Sequence, residues 1–114
     1  MITIYHNPRC GKSREALQLV TASGKPFMVV EYLKNPLDKV GLKELSSQLS
    51  LKPLEMMRTK EPIFIEQYKG KNLSDEALFD AMAAHPILME RAIVSNGTQA
   101  VIARPPEKAL EILV

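Results

Sequence analysis

The sequence predicts an α/β domain on a mixed four-stranded sheet, in the order β-α-β, a mainly helical stretch, then β-β-α. Three observations carry that expectation. Residues 2–30 read as strand, helix, strand; from Asn35-Pro36 to His85-Pro86, apolar residues recur at helical spacing between proline-containing breaks; and two short apolar runs near the C-terminus flank Asn96-Gly97.

Ile2 to His6 alternates apolar and polar residues and stops at the turn Asn7-Pro8, as a short strand does. Between Gly11 and Ser23, Ala16, Leu17, Val20 and Thr21 recur at helical spacing, and Gly24 stands where a left-handed C-terminal cap belongs. After Pro26, the apolar and partly β-branched run Phe27-Met28-Val29-Val30 is expected to be a buried strand, parallel to the first after a helical crossover. Asn35-Pro36 breaks the pattern, and Asp38 can cap a helix whose Leu42, Leu45 and Leu49 share one face. Pro53 marks another break. Leu54 to Thr59 reads as a short helix, Pro62 to Tyr68 fits either state, and Ser74-Asp75-Glu76 opens a helix carrying Leu78 and Met82 that His85-Pro86 ends.

Ile93-Val94-Ser95 and Gln99-Ala100-Val101-Ile102 are expected to pair as an antiparallel hairpin, because Asn-Gly tolerates the positive φ angles of a tight turn. Pro105-Pro106 pre-sets the first turn of a last helix, with Ala109, Leu110 and Leu113 facing inward. Residues 1–114 are therefore expected to be a single domain, with 36–90 a helical insertion between the second and third strands. The order is similar to the thioredoxin-like arrangement, in which a cysteine between the first strand and first helix is the reactive one.

Composition narrows the function classes. The chain is 46% hydrophobic and 25% charged, as an ordinary globular protein is, so disorder and fibrous classes drop out. A formal net charge of only +2 and no dense basic run speak against nucleic-acid binding. No stretch approaches membrane-spanning length, so no membrane association is expected. A single cysteine excludes an internal disulfide and makes the cytoplasm the expected compartment. Two isolated histidines give no metal-ligand spacing, so no metal is expected, and His85, before Pro86, is expected to cap helix carbonyls.

Cys10 is that cysteine, and it lies in His6-Asn7-Pro8-Arg9-Cys10-Gly11-Lys12-Ser13-Arg14 at the expected strand-to-helix turn. By type alone a cysteine is a small core residue. Three nearby cations and a helix N-terminus argue instead for a thiolate, because unpaired first-turn N–H groups and the dipole end favour negative charge on sulfur and on a bound oxyanion. Where a dithiol motif has a second cysteine, this chain has Ser13, so an oxidised Cys10 can be discharged only by an external thiol such as glutathione, a glutaredoxin or a thioredoxin. The Ser13 hydroxyl is placed to donate to the thiolate or an anion, with backbone capping as its ordinary role. His6, at the strand end, would favour the thiolate as an imidazolium.

The segment Ile4 to Arg14 resembles the active-site segment of the glutaredoxin-coupled arsenate reductases, small thioredoxin-fold proteins. Met56-Met57-Arg58 with Glu61-Pro62, His85-Pro86-Ile87-Leu88 with Arg91, and Ala103-Arg104-Pro105 are similar to that family in order and spacing. The resemblance implies that Cys10 attacks arsenate, that Arg58, Arg91 and Arg104 bind the oxyanion, and that His6, Ser13 and Gly11 support the cysteine. It implies no bound cofactor, glutathione as co-substrate and glutaredoxin as partner; the chain is expected to be a monomer. Arginine suits such a site, since its planar fork of donors keeps its charge and fits a tetrahedral oxyanion. Arg9 and Arg14 are expected to add positive potential, Arg14 equally well from the helix exterior.

The chain departs from the family at two places. Ala92 follows Arg91 where relatives carry a proline, usually cis, and because non-proline residues strongly prefer trans, the loop geometry is left open. Lys12 replaces a small hydroxyl residue. The expectation is a monothiol arsenate reductase; the alternatives are a redox-responsive regulator that docks on RNA polymerase, whose relatives carry Cys-x-x-Cys, and a family relative with another thiol or oxyanion substrate.

Overall fold

The computed structural model describes residues 1–113. In chain order the elements are β1 (Ile2–His6), α1 (Gly11–Ala22), β2 (Phe27–Glu31), α2 (Lys39–Leu49), a 3-10 turn at Pro53–Met56, α3 (Pro62–Gln67), α4 (Asp75–Ala84), a second 3-10 turn at Pro86–Leu88, β3 (Ile93–Ser95), β4 (Ala100–Ile102), and a third 3-10 turn at Pro106–Ala109 that continues as α5 (Leu110–Leu113). They fall into two compact units: Met1–Asn35 with the described residues from Arg91 onward, and Pro36–Glu90.

The first unit holds a four-stranded sheet in the order β2-β1-β3-β4. β1 is parallel to β2, with Ile2 opposite Phe27 and His6 opposite Glu31, and antiparallel to β3, with Tyr5 opposite Ile93. β4 returns antiparallel to β3 through Gly97 at φ 95°, the turn that Asn-Gly predicts, and the Asn96 side-chain oxygen accepts the Thr98 and Gln99 N–H groups at 2.9 and 2.8 Å. Alternation along β1 sends Ile2, Ile4 and His6 inward. Ile2 and Ile4 meet Ala16 and Val20 of α1 and Val94, Ala103, Ala109 and Ile112 in one apolar core. Truncating the fully buried Ile4 to alanine would cost about 2–5 kcal/mol. α1 ends where the Ser23 N–H closes on the Leu19 carbonyl at 3.1 Å, and Gly24 at φ 75° turns the chain back.

β2 is not the buried strand its apolar run suggests. It is an edge strand with β1 as its one neighbour, leaving Met28 and Val29 exposed. Leu110, expected inward, is 48% exposed, while Ile112 and Leu113 are buried. The 3-10 turn at Pro106–Ala109 advances by three residues per turn rather than 3.6 and shifts the phase of the residues that follow.

In the second unit, the Asp38 carboxylate accepts the Gly41 N–H at 2.8 Å to cap α2, and Ser74 Oγ accepts the Ala77 N–H at 3.2 Å to cap α4. Leu42, Leu45, Met56, Leu78, Met82 and Leu88 are buried there. Lys39 and Lys43 reach Glu76 at 2.6 and 2.5 Å, joining α2 to α4 at the surface. The short helix expected over Leu54 to Thr59 is cut short. Only Pro53–Met56 turns; Met57 is extended and pairs with Met89, so a non-local bridge takes the backbone groups that a further helical turn would have used.

Candidate active site

Cys10 is the N-cap of α1, in extended conformation at φ −97°, and no side chain closes that helix end. A Ser or Asp there would occupy the first-turn donors; instead the N–H groups of Ser13 and Lys12 face the sulfur. Burial pushes the Cys10 thiol up, but the Ser13 N–H, the hydrogen bond and charge of the Arg91 guanidinium, and the Lys12 N–H outweigh it, and the thiol sits below its ordinary value.

The loop that presents Cys10 is closed on every side. The Cys10 N–H donates to the Asn7 carbonyl at 3.0 Å, the Arg14 N–H donates to the Cys10 carbonyl at 3.0 Å, and the Asn7 side-chain oxygen accepts the Arg9 N–H at 3.0 Å. Ser13 Oγ accepts the Asn7 N–H at 3.0 Å and is hydrogen-bonded to His6 Nδ1 at 2.7 Å. Both side chains are buried, Ser13 completely.

Two sequence expectations are thereby corrected. The Ser13 hydroxyl does not serve the thiolate; it is committed to His6 and Asn7, and the Ser13 backbone N–H serves the sulfur instead. Nor do the surroundings of His6 favour the imidazolium. Burial lowers its pKa, the Glu31 carboxylate opposes this and the Arg14 charge adds to it, so the net shift favours the neutral ring. Its task is to hold Ser13.

A depression of about 510 Å³ opens over Cys10 and Gly11, walled by Lys12, Arg14, Arg91 and Arg104, with Glu15 and Gln18 further along α1. Arg91 Nη1 is buried and has no hydrogen-bond partner among the described residues, a costly condition for a guanidinium nitrogen. The Arg91-Ala92 peptide is cis although Ala92 is not proline, and Arg104-Pro105 is cis as well. The Ala103 N–H donates to the Ala92 carbonyl at 2.8 Å, so the segments carrying Arg91 and Arg104 are bonded to each other. Gly11 has no steric necessity, since a Cβ there would meet only Arg14 Nη2, at 3.6 Å.

Arg14 is not merely on the helix exterior. Its Nη1 donates to the Pro8 carbonyl at 2.9 Å, and it lines the depression. Glu15 and Gln18 belong to no motif in the sequence; only their spacing of four and seven from Gly11 puts them on the helical face that lines the depression. Arg58 belongs to the second unit. Its N–H donates to the Leu88 carbonyl at 2.7 Å, its Nη1 pairs with Glu61 at 2.5 Å, and its Nε lies 3.9 Å from the Glu90 carboxylate. His85 does not cap carbonyls with its ring. Its backbone N–H closes α4 on the Ala81 carbonyl at 2.9 Å, and the ring stands edge-on to Tyr68 at 6.2 Å. Among the described residues, no group of three His, Cys, Asp or Glu side chains could hold a metal ion.

This sheet, with a cysteine at the β1–α1 turn, is a thioredoxin-like fold, and the chain matches the ArsC family over residues 5–112. The chain belongs to the ArsC family. It is 46% identical to "Uncharacterized protein YfgD" of Escherichia coli strain K12, over 98% of this chain and 96% of that one, and 42% identical to "Arsenate reductase" of Haemophilus influenzae, over 98% of each. Among solved structures it is similar to the arsenate reductase from Vibrio cholerae, at 49% identity and TM-score 0.92, over 97% of this chain and 96% of that one.

Proposed function

We propose that this protein is a monothiol arsenate reductase that uses glutathione and glutaredoxin. The observation that carries the reading is the Cys10 thiol, acidified by the first turn of α1 and by Arg91, in a depression that Arg91 and Arg104 also line. Membership of the ArsC family and the arsenate reductases among its relatives support the choice of oxyanion.

Cys10 thiolate attacks arsenic(V) while Arg91, Arg104 and the α1 N-terminus spread the charge of the oxyanion, and one oxygen leaves as water. Arg58 is assigned as the third oxyanion arginine on its motif match. Two electrons then come from two external thiols, which end as a disulfide as arsenic(V) becomes arsenic(III), and water displaces the Cys10 thiolate from arsenic to release arsenite; the chain has no second cysteine to supply either thiol. We assign the protein to the cytoplasm as a monomer without bound cofactor, with 36–90 an insertion in a single domain.

The test is arsenate turnover with glutathione and glutaredoxin. Cys10→Ser should abolish it, and Arg91→Lys or Arg104→Lys should lower it about 10- to 100-fold, because a point ammonium keeps the charge but loses the forked grip. Full turnover in the Cys10→Ser variant would overturn the assignment of the nucleophile, and unchanged turnover in both lysine variants that of the oxyanion site.

A further inference from the structure

We propose that the exposed face of α1, from Gly11 to Ala22, binds the peptide thiol that discharges Cys10, a zwitterionic tripeptide of the glutathione class. The inference rests on the monothiol reading above and adds where that thiol lies.

Two depressions adjoin on this face. The first, about 510 Å³, contains Cys10; the second, about 520 Å³, is walled chiefly by Pro8, Leu17, Thr21 and Ala22. Arg14 and Gln18 line both, so the two depressions meet at these side chains on successive turns of the helix. At 1.5 Å per residue the face is about 16 Å long, and an extended tripeptide spans about 10–11 Å. A thiol brought to Cys10 therefore leaves the remainder of the peptide on α1.

The charges on the rim fit that occupant better than a bare oxyanion. Arg91 and Arg104 with the helix end are the groups there that a tetrahedral anion uses, yet Lys12, Arg14, Glu15 and Gln18 line the same depression. Two cations, a carboxylate and an amide complement the two carboxylates and one ammonium of such a tripeptide. Arg14 is already pinned to the Pro8 carbonyl, which lowers the entropic cost of using its charge. The Lys12–Glu15 pair, 3.6 Å apart and well exposed, is weak enough to exchange its partners for those of a ligand. In the second depression the Thr21 hydroxyl donates to the Leu17 carbonyl at 2.8 Å, leaving a mainly apolar wall for the peptide's methylene groups.

The test is thiol–disulfide exchange without arsenate. Cys10 thiolate attacks one sulfur of glutathione disulfide; the Cys10–sulfur bond forms, the S–S bond breaks, and the departing glutathione thiolate takes a proton from water. Its rate, followed by mass spectrometry, is divided by the rate with uncharged 2-hydroxyethyl disulfide. The wild-type ratio should exceed that of a small free thiol of matched pKa about tenfold, and Arg14→Gln or Gln18→Glu should each cut it about fivefold. Gln18→Glu touches none of the hydrogen bonds that hold the Cys10 loop. An unchanged ratio, or an equal fall with both disulfides, overturns the proposal. So does a loss confined to turnover with glutaredoxin, which would give the face to a protein partner. Absence of any adduct at Cys10 would instead sink the monothiol reading beneath it.

Discussion

Replacing Ser13 by alanine separates two accounts of how the Cys10 loop works. The side chain is fully buried, and its oxygen accepts the Asn7 N–H at 3.0 Å while bonded to His6 Nδ1 at 2.7 Å. Deleting one oxygen leaves almost no cavity but strands the buried His6 ring nitrogen and the half-buried Asn7 N–H, at about 1–3 kcal/mol each, and because they share one network the loss should come to about 2–4 kcal/mol. For a chain of this size that corresponds to a fall of about 8–16 °C in Tm. The Ser13 N–H is retained, so the midpoint of Cys10 alkylation by iodoacetamide against pH should stay within about half a pH unit of wild type. Thermal unfolding followed by circular dichroism and the alkylation profile together decide the matter. A Tm within about 2 °C of wild type, with the alkylation midpoint raised by about a full pH unit, would show that the hydroxyl serves the thiolate directly and not the His6–Asn7 network.

Arg91→Gln should raise the alkylation midpoint of Cys10 toward the free-thiol value of about 8.5, since both a hydrogen bond and a charge are lost; a midpoint that stays at the wild-type value would remove Arg91 from the thiolate's surroundings. His6 gives stability an acid-side dependence. Its folded pKa lies below the unfolded value of about 6.5, so the unfolded chain takes the proton first, and the contribution is complete above about pH 6.5 and lost as pH falls through the folded value. Denaturant titrations across that window should show a slope that flattens in His6→Gln; an identical slope would exclude His6 as its source. In the second unit, Lys39 and Lys43 hold the Glu76 carboxyl down to about 2. Its NMR titration midpoint should climb toward the ordinary carboxylate range in Lys39→Ala, and high salt should shrink the difference because the pair is exposed; a midpoint unmoved by the substitution would mean that the ion pair does not form in solution.

The elements were readable wherever short-range rules govern. Asp38 and Ser74 as caps, Gly24 and Gly97 at positive φ, and the strand at Ile2–His6 all follow from relations within a turn or two of the chain. Position in the sheet does not. Phe27-Met28-Val29-Val30 has the composition of an interior strand, but only its pairing with β1 alone makes it an edge, and the Met57–Met89 bridge ends a helix that local spacing would have prolonged.

The sequence by itself determined that one cysteine stands at a strand-to-helix turn among cations, that no second thiol can resolve it within the chain, and which residues match the family's motifs. Only the tertiary structure decided what each group does there. It turned the Ser13 hydroxyl away from Cys10 and its N–H toward it, favoured a neutral His6, made Arg14 part of the wall, and left Arg91 Nη1 buried without a partner. The reason is physical: caps and periodicity are set by neighbours a few residues apart, whereas burial, proton affinity and the choice of hydrogen-bond partner depend on segments as distant in sequence as Cys10 and Arg91.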